Sequence, residues 1–561
     1  MAFIRRVRTA SGATAVQVAE YGEGRQRILA HVGSAHTEAE LGVLLERARE
    51  LLADPGQGVL ELGVGPSPVV TALVATGEPS GLLSGGAVSA SAGRDGPGRV
   101  VGTSSRVLYE ALVGVYDRLG FEVALSDGVF KDLVIARVVE PTSLLDCGRV
   151  LGELGVAPAS YATMKRTLTR AQERGYREKV AAACYAHAST SGDLSLVLYD
   201  VTTLYFEAER EDELRKVGYS KERRVDPQVV VGLLVDRRGF PLEVGCFEGN
   251  KAETTTLLPI IRSFQERHAL ESMAVVADAG MLSATNLKEL DAAGVRFIVG
   301  SRAAKAPGDL ASYFRWHGDA FTDGQVIDTI TPRVATRAAA AVNDVRQRAE
   351  PVWDPSEHPG SWRAVWAYSA KRAARDAKTL TLQEHRAQAV IAGEKATRTP
   401  RFVKTTGGAL TLDTASLTRA RCLVGLKGYV TNIPATLMPA DEVIGSYHDL
   451  WRVEQSFRMS KTDLRARPMF HPPPSTPCRG YPLREAIEAH LTIVVTALAV
   501  AREAQARTGL AIRNLVRQLR PLRSATIAIN GAQQTFPPAI PDQQQAHLDA
   551  LSQNGTHALT E

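Results

Sequence analysis

Residues 194–207, LSLVLYDVTTLYFE, decide the fold. A run this rich in apolar, β-branched and aromatic residues is typical of a buried strand. The next apolar segment, QVVVGLLVDRRGFPLEVGCFEG at 228–249, predicts two strands joined in a hairpin at 236–239. The chain then predicts, in order, a helix at 253–267, a strand at 273–280, a helix at 286–293 and a strand at 295–301. Three strands, helix, strand, helix, strand is the order of a mixed α/β domain.

Three acidic residues stand where an acid is not expected. Asp200 interrupts the buried strand, where a carboxylate is costly unless it is paired or bound to a metal. Asp278 ends the strand AVVAD, and the carboxyl ends of strands in α/β sheets are where ligand crevices form. Glu454 lies amid apolar and basic residues of a predicted helix. Each acid alone could belong to a surface ion pair, but the three together indicate a functional site.

The predicted helix at 441–464 adds a patterned surface to this site. Tyr447, Glu454 and Lys461 are seven residues apart and share one helix face, with Arg458 close beside them. A phenol, a carboxylate and cations along one stripe are suited to meet a polyanion and a metal.

A second candidate region is predicted to be helical from 107 to 187. Within it, two helices flank a short turn at 156–158, and residues 158–180 carry six basic residues against two acidic ones. A recognition helix for DNA needs such a turn and a basic second helix, but the solvated face of a helical bundle fits the pattern equally. The candidate DNA-binding residues there are Lys165, Arg166 and Arg170.

Composition separates the remaining segments. Residues 1–54 predict short strands followed by an amphipathic helix at 37–52. Residues 55–104 hold 12 of the 47 glycines of the chain and predict a linker. The tail at 521–561 is polar and rich in Gln and Pro, which predicts fraying.

The segment 301–425 is basic, with 19 Lys+Arg against 12 Asp+Glu, and this excess exceeds the net charge of +5 of the whole chain. Cations neutralise phosphates in the sequence-independent part of DNA binding. The segment also holds four of the five tryptophans, which could stack on an extruded base. Trp362 and Trp366 alternate with small apolar residues, a pattern that favours core positions.

Other classes of protein lack support in the sequence. The five cysteines are scattered without a CxxC pair, which fits reduced thiols in a cytosol. There is no HExxH zinc motif and no GxxxxGK[ST] phosphate loop. The N-terminus lacks the apolar run of a signal peptide, and the longest apolar stretch, 491–501, is half of what spans a bilayer. These features predict a soluble cytoplasmic protein with no membrane partner.

Several of these segments resemble one family, the DDE transposases of bacterial insertion sequences. The resembling segments are YDVTTLYFE at 199–207, FEGNKAETTTLLP at 247–259, VVADAGMLS at 275–283 and FRMSKTDLRARPMFH at 457–471, together with the N-terminal strands. The resemblance implies a ribonuclease H-like mixed sheet flanked by helices, interrupted by a large insertion domain and preceded by a mainly helical DNA-binding region. The implied domains are 1–54, a linker at 55–104, the helical region at 105–190, catalytic parts at 191–300 and 426–520, the insertion at 301–425 and the tail at 521–561.

The signature of the branch with a long insertion, the insertion-sequence-four superfamily, is a tyrosine, an arginine, a glutamate and a lysine at fixed spacing. Tyr447, Glu454 and Lys461 match it, whereas Leu450 occupies the arginine position. Arg452 and Arg458 are the candidates for the role of that arginine.

The resemblance further implies the chemistry. Asp200, Asp278 and Glu454 would hold two Mg²⁺ ions, which Mn²⁺ can replace, with Asp200 bridging both. Tyr447 and Lys461 would contact DNA phosphate. The partners would be double-stranded DNA at the element ends and at the target, bound by a homodimer in the nucleoid. Two alternatives remain open: a decayed or domesticated relative that binds DNA without cutting it, and a non-transposing nuclease of the same fold.

Overall fold

The computed structural model describes residues 2–8, 14–22, 25–35, 99–192, 194–206, 211–219, 226–270, 273–280, 283–333, 346–394, 400–406, 408–466, 483–529 and 532–553, and four helical residues between 41 and 48. The chain divides into two compact units, Met1–Arg94 and Asp95–Glu561. Residues 55–98 of the linker predicted at 55–104 lie outside the described residues.

The first unit contains an antiparallel sheet in the order β1-β2-β3. Its strands are β1 (Ala2–Arg8), β2 (Thr14–Gly22) and β3 (Arg25–Ala35). The central strand packs its apolar side chains against one face of a helix, in a cluster that includes Val16, Val18, Leu41, Leu44, Leu45 and Ala48. The three strands of residues 2–35 and the four helical residues between 41 and 48 therefore lie where the sequence predicts strands and a helix.

Helices dominate the start of the second unit. It begins with β4 (Arg99–Ser104), α1 (Arg106–Arg118), α2 (Phe121–Leu125), α3 (Gly128–Val139), α4 (Cys147–Glu153), α5 (Tyr161–Glu173) and α6 (Tyr176–Ser191). The pair α4 and α5 is the predicted helix, turn and helix. Ser160 begins the second of them, because its Oγ accepts a hydrogen bond from Thr163 N at 3.2 Å.

A mixed sheet follows and confirms the predicted order of elements. Its first part is β5 (Leu196–Tyr205), β6 (Gln228–Val235), β7 (Pro241–Glu248), α7 (Leu257–His268), β8 (Ala274–Ala277), α8 (Ala284–Ala292) and β9 (Arg296–Ser301). The first three strands are antiparallel, with the turn between β6 and β7 closed by a hydrogen bond from Gly239 N to Asp236 O at 2.9 Å. β8 and β9 run parallel to β5.

The basic segment after β9 adds two strands to this sheet and then forms a separate two-stranded sheet. It contributes α9 (Ala306–Asp309), α10 (Ala311–His317), β10 (Val326–Pro332), β11 (Ser361–Tyr368), α11 (Ala370–Ile391), β12 (Val403–Thr406), β13 (Ala409–Leu412) and α12 (Thr414–Cys422). With β14 (Leu426–Thr431), the sheet has the order β10-β11-β14-β9-β8-β5-β6-β7. Trp362 and Trp366 of β11 are each 1% exposed, which confirms their core positions, whereas Trp316 is 49% exposed.

The predicted single helix at 441–464 is wrong, because the structure has two helices there. They are α13 (Ala440–His448) and α14 (Trp451–Thr462), separated at Asp449 and Leu450. At this point the backbone hydrogen bonds change from the α-helical pattern, between residues four apart, to the 3₁₀ pattern, between residues three apart. An example is the hydrogen bond from Arg452 N to Asp449 O at 2.9 Å. Leu450 is 7% exposed and lies in the main core, so the break is held by apolar packing.

The last elements return to the helical region. They are α15 (Leu483–Thr508), α16 (Ile512–Leu519), β15 (Ser524–Ile529), β16 (Ala532–Phe536) and α17 (Asp542–Ser552). Every residue of α15 from 491 to 501 is buried, and the helix packs against α3, α5, α14 and β7. Among the described residues, no helix is long and apolar enough to cross a membrane.

The C-terminal tail and the end of the predicted linker form regular elements, contrary to the prediction. The tail does not fray at 524–529 and 532–552: β15 pairs with β4 and β16, and α17 packs against α1 with Leu551 buried. For the same reason the last six residues of the predicted linker, 99–104, form a strand. Pairing with distant strands supplies the backbone hydrogen bonds that the local polarity of these segments did not suggest.

Candidate active site

Asp200 and Asp278 lie level with each other on adjacent parallel strands. The register pairs Leu198 of β5 with Val276 of β8, and each aspartate follows two residues later. Side chains two residues apart on a strand point to the same face, so the register brings both carboxylates to one face at the carboxyl end of β8. Asp278 is exposed there, and Asp200 is half-buried with its Oδ1 accepting a hydrogen bond from Val201 N at 2.8 Å.

Tyr447 of α13 reaches this pair of aspartates. Its hydroxyl donates a hydrogen bond to Asp278 Oδ1 at 2.7 Å. Burial, together with the hydrogen bond to the Asp278 carboxylate, raises the pKa of the Tyr447 phenol, so the phenol stays neutral and acts as a donor. Gly300 of β9 provides the space, because a Cβ at this position would lie 2.7 Å from the Tyr447 hydroxyl. Tyr447 therefore fixes the orientation of the Asp278 carboxylate.

For the DNA cleavage that the resemblance implies, Tyr447→Phe should lower the rate about ten- to a hundredfold, because a hydrogen bond to a charged group contributes about 1.5–3 kcal/mol. The loss should shrink as the Mg²⁺ concentration rises, since a misplaced Asp278 weakens binding of the cation. Cleavage rates measured over a Mg²⁺ titration test this.

Tyr429→Phe is the matched control for Tyr447→Phe. The Tyr429 ring lies 5.0 Å from the Tyr447 ring, but its hydroxyl lies 3.3 Å from His448 Nε2 rather than beside a carboxylate. The Mg²⁺ dependence should therefore not change in the control. If Tyr447→Phe instead weakens DNA binding at unchanged Mg²⁺ dependence, the phenol contacts phosphate and does not position Asp278.

The structure adds Lys427 and Arg372, which the sequence analysis missed. Lys427 Nζ lies 4.9 Å from the centroid of the Tyr447 ring. Burial lowers the pKa of Lys427, while the nearby Asp278 carboxylate opposes this shift. Arg372 of α11 is close enough for its charge to lower the pKa of His448, although burial of that imidazole is the larger cause. A lysine inside the apolar strand GLKGYVTNI was the available signal for Lys427.

Glu454 is not part of the group that the structure assembles. It is exposed on α14, which packs against β5 and β6. The helix is fixed by Ser456, whose Oγ donates to Gly239 O at 2.7 Å, and by Arg502, which donates to Gln455 Oε1 at 2.9 Å. Two residues, Asp449 and Leu450, separate α14 from the helix that carries Tyr447. Among the described residues, no three His, Cys, Asp or Glu side chains come close enough to hold a metal ion.

The aspartate pair has the donor chemistry of a site for a hard divalent cation, because carboxylate oxygens are the ligands that Mg²⁺ prefers. Tyr447 donates to Oδ1 of Asp278, so Oδ2 would be the oxygen that holds a cation. The residues present therefore fit one cation at Asp200 and Asp278.

The basic residues of α14 lie on its accessible surface. Arg458 is exposed, and Lys461 is partly exposed. Arg452 stacks over the exposed ring of Trp451, with the guanidinium carbon 5.2 Å from the ring centroid, and its Nε lies 3.4 Å from Asp449 Oδ1. The helix that carries them packs on β5, the strand that contains Asp200.

The three basic candidates of α5 differ in their surroundings. Arg166 is exposed, and Lys165 lies over the ring of Tyr161 at 5.0 Å. Arg170 instead binds Asp127, the buried residue that caps α3, with 2.7 Å between its Nε and Oδ2. Its guanidinium stabilises the packing of α5 on α3, so we leave Arg170 out of the proposed DNA contacts below.

One aspartate within a strand lies level with a second aspartate just after the end of the adjacent parallel strand. Two carboxylates held in this way in a mixed sheet have the donor chemistry of a metal-dependent enzyme that acts on phosphodiesters. Residues 191–470 match the family of the transposase DDE domain. The chain belongs to the DDE transposases and is an enzyme of DNA cleavage and strand transfer. Members of this family generally use divalent metal ions.

A solved structure of the piggyBac transposase synaptic complex with hairpin DNA also resembles the chain. The likeness covers 74% of this chain and 78% of that one, with 9% sequence identity and a TM-score of 0.35. No curated protein matches the chain.

Proposed function

We propose that this transposase cleaves DNA at both ends of its own insertion sequence and joins the freed ends to target DNA, with Asp200, Asp278 and Glu454 as its catalytic residues. The observation that carries the proposal is the pairing of Asp200 and Asp278 at one edge of the sheet, with Tyr447 bound to Asp278. Asp200 is half-buried in an apolar strand, where a carboxylate is costly unless it is paired or bound to a cation, and Asp278 lies level with it on the next strand.

The proposed cofactor is a pair of Mg²⁺ ions, for which Mn²⁺ substitutes. Bound ions would activate water and stabilise the leaving oxygen of the phosphodiester. Asp200 and Asp278 would hold them from the sheet, and Glu454 from α14. Since Glu454 is exposed and stands apart from the pair, the third carboxylate joins the site when DNA lies between α14 and the sheet edge.

The remaining polar residues would position Asp278 and bind the DNA. Tyr447 orients Asp278, and the half-buried Lys427 places a positive charge beside the aspartates, where a phosphate enters. Arg452, Arg458 and Lys461 of α14 would contact the DNA backbone, and Lys165 and Arg166 of α5 would contact it further away. Because two ends must be joined, we propose a homodimer on double-stranded DNA, located in the nucleoid.

The experiment that tests this function uses a plasmid carrying the DNA that flanks the gene. The purified protein with Mg²⁺ should cut at the two element ends, and EDTA should abolish the cuts. Specific binding without cuts, under Mg²⁺ and Mn²⁺ alike, would indicate a decayed or domesticated DNA-binding relative. Cuts that ignore the end sequence would indicate a non-transposing nuclease.

Lys461→Ala should weaken DNA binding and lower the salt dependence of the binding constant, by a slope of about 0.9 if it contacts one phosphate. Binding titrations over a range of salt concentrations measure the slope. Lys288→Ala, which removes an exposed cation on α8, is the matched control and should keep the wild-type slope. An unchanged slope for Lys461→Ala would remove this residue from the phosphate contacts.

A further inference from the structure

The exposed face of α11 carries a row of cations. Lys371, Arg375 and Lys378 are four and three residues apart, so they lie on one face of the helix. All three are exposed. At a rise of about 1.5 Å per residue, the row extends about 10 Å along the helix axis.

The acids of α11 point to other parts of the protein. Asp376 Oδ2 accepts a hydrogen bond from Gly425 N at 3.2 Å, and Glu384 Oε2 accepts one from Arg421 of α12 at 2.7 Å. The helix also buries Leu380 and Ala387 in a small core with α12 and the β12–β13 hairpin. Acids and apolar residues therefore fix α11 to its neighbours, and the face left to solvent is positively charged.

The row begins beside the active site. Ser369, which caps α11, donates its backbone N–H to Gly425 O at 3.0 Å. Gly425 has a φ of +83°, and a Cβ there would lie 2.8 Å from the Ala373 side chain, so only glycine permits this close approach. Lys427, the half-buried cation next to Tyr447, follows two residues later on β14. The first turn of α11 is thus held against the strand that contributes to the site.

We propose that Lys371, Arg375 and Lys378 bind the sugar–phosphate backbone of the double-stranded DNA whose end lies at Asp200 and Asp278. The inference rests on the proposed function, because it gives the path of the DNA away from that site. The chemistry is complementary, since duplex DNA carries one negative charge per about 1.7 Å of axis and releases counterions when cations neutralise its phosphates. A fixed row of cations leading out of an acidic site attracts the substrate that the acids alone would repel.

The test compares two triple variants with the wild type in DNA-binding titrations over a range of salt concentrations. The first replaces Lys371, Arg375 and Lys378 with alanine, the best helix former, so the helix is preserved. It should bind about ten- to a hundredfold more weakly at low salt, and its salt slope should fall by about 2–3. Thermal unfolding checks that both variants are folded.

The control variant replaces three other exposed cations with alanine, namely Arg262, Lys288 and Arg296. It loses the same charge from α7, α8 and the start of β9, and should retain the wild-type affinity and slope. Equal slopes for the row variant and the wild type would overturn the inference, and so would an equal loss in both variants. If the wild type binds through the row but does not cut the element ends, the row stands as a DNA-binding surface and the catalytic proposal fails.

Discussion

Asp278→Asn should lower the rate of DNA cleavage at least about a thousandfold and leave DNA affinity close to that of the wild type. Asparagine has nearly the same shape, and its carbonyl oxygen can still accept the hydrogen bond that Tyr447 donates at 2.7 Å. It carries no charge, however, and an uncharged amide holds Mg²⁺ far less well than a carboxylate. A bound cation stabilises the transition state by several kcal/mol, and losing that stabilisation lowers the rate about a thousandfold or more.

The same measurement on Asp200→Asn and Glu454→Gln should give the same result if the three acids act on one reaction. Asp319→Asn, which neutralises an exposed acid after α10, is the matched control and should cleave at the wild-type rate. The assignment of the acids to a metal site would be contradicted if all three variants lost DNA binding together with cleavage. If Glu454→Gln alone retained cleavage, the site would consist of the aspartate pair without α14.

Asp328→Ala should lower the free energy of unfolding by about 3 kcal/mol, the lower end of what breaking a buried ion pair costs. Its partner Arg363 is 1% exposed and binds Asp328 through two nitrogens, at 3.0 Å and 2.5 Å. Arg363 also donates to the carbonyls of Ile433 and Met438, in the segment that leads into α13. Removing the carboxylate leaves a buried guanidinium without its counter-charge, next to the segment that positions Tyr447. Urea unfolding followed by circular dichroism measures the change.

The double variant Asp328→Ala/Arg363→Met provides the test of this cause. Methionine fills the space of the arginine stem and removes the unpaired charge, so the double variant should recover at least half of the lost stability. Asp319→Ala, an exposed replacement, should stay within about 0.5 kcal/mol of the wild type. A double variant less stable than Asp328→Ala would show that the hydrogen bonds to the two carbonyls, and not the charge pair, stabilise this edge of the sheet.

The central sheet could be predicted from the sequence because its strands are long apolar runs with clear turns. The run around Asp200 and the turn at 236–239 have a strong local signal, and the structure places β5, β6 and β7 there. Asp200 and Asp278 were singled out in the same way, since an acid at the end or in the middle of an apolar strand is unusual. Their shared face, by contrast, depends on the register of β5 and β8, which follows from packing.

What the sequence could not reveal depends on contacts between distant residues. The break between α13 and α14 has no proline or glycine to mark it and is stabilised by the burial of Leu450. Gly300 has no special backbone conformation that a sequence pattern could indicate, and its role is to leave room for Tyr447 from another element. The tail looks polar in isolation, yet it is ordered at 524–529 and 532–552 by pairing with β4 and packing on α1.

The C-terminal segment contacts the first helices of the helical region, so these helices complete their contacts only when synthesis of the chain is nearly finished. Arg118 of α1 donates a hydrogen bond to Ser552 O, 434 residues later, and Ser105 donates to Arg520 O. At about 5–20 residues per second, a ribosome needs about 20–90 s to make the intervening chain. During that time the first helices are exposed without their final partners. A message truncated even shortly before α17 would therefore yield a protein that is damaged at its beginning as well as at its end.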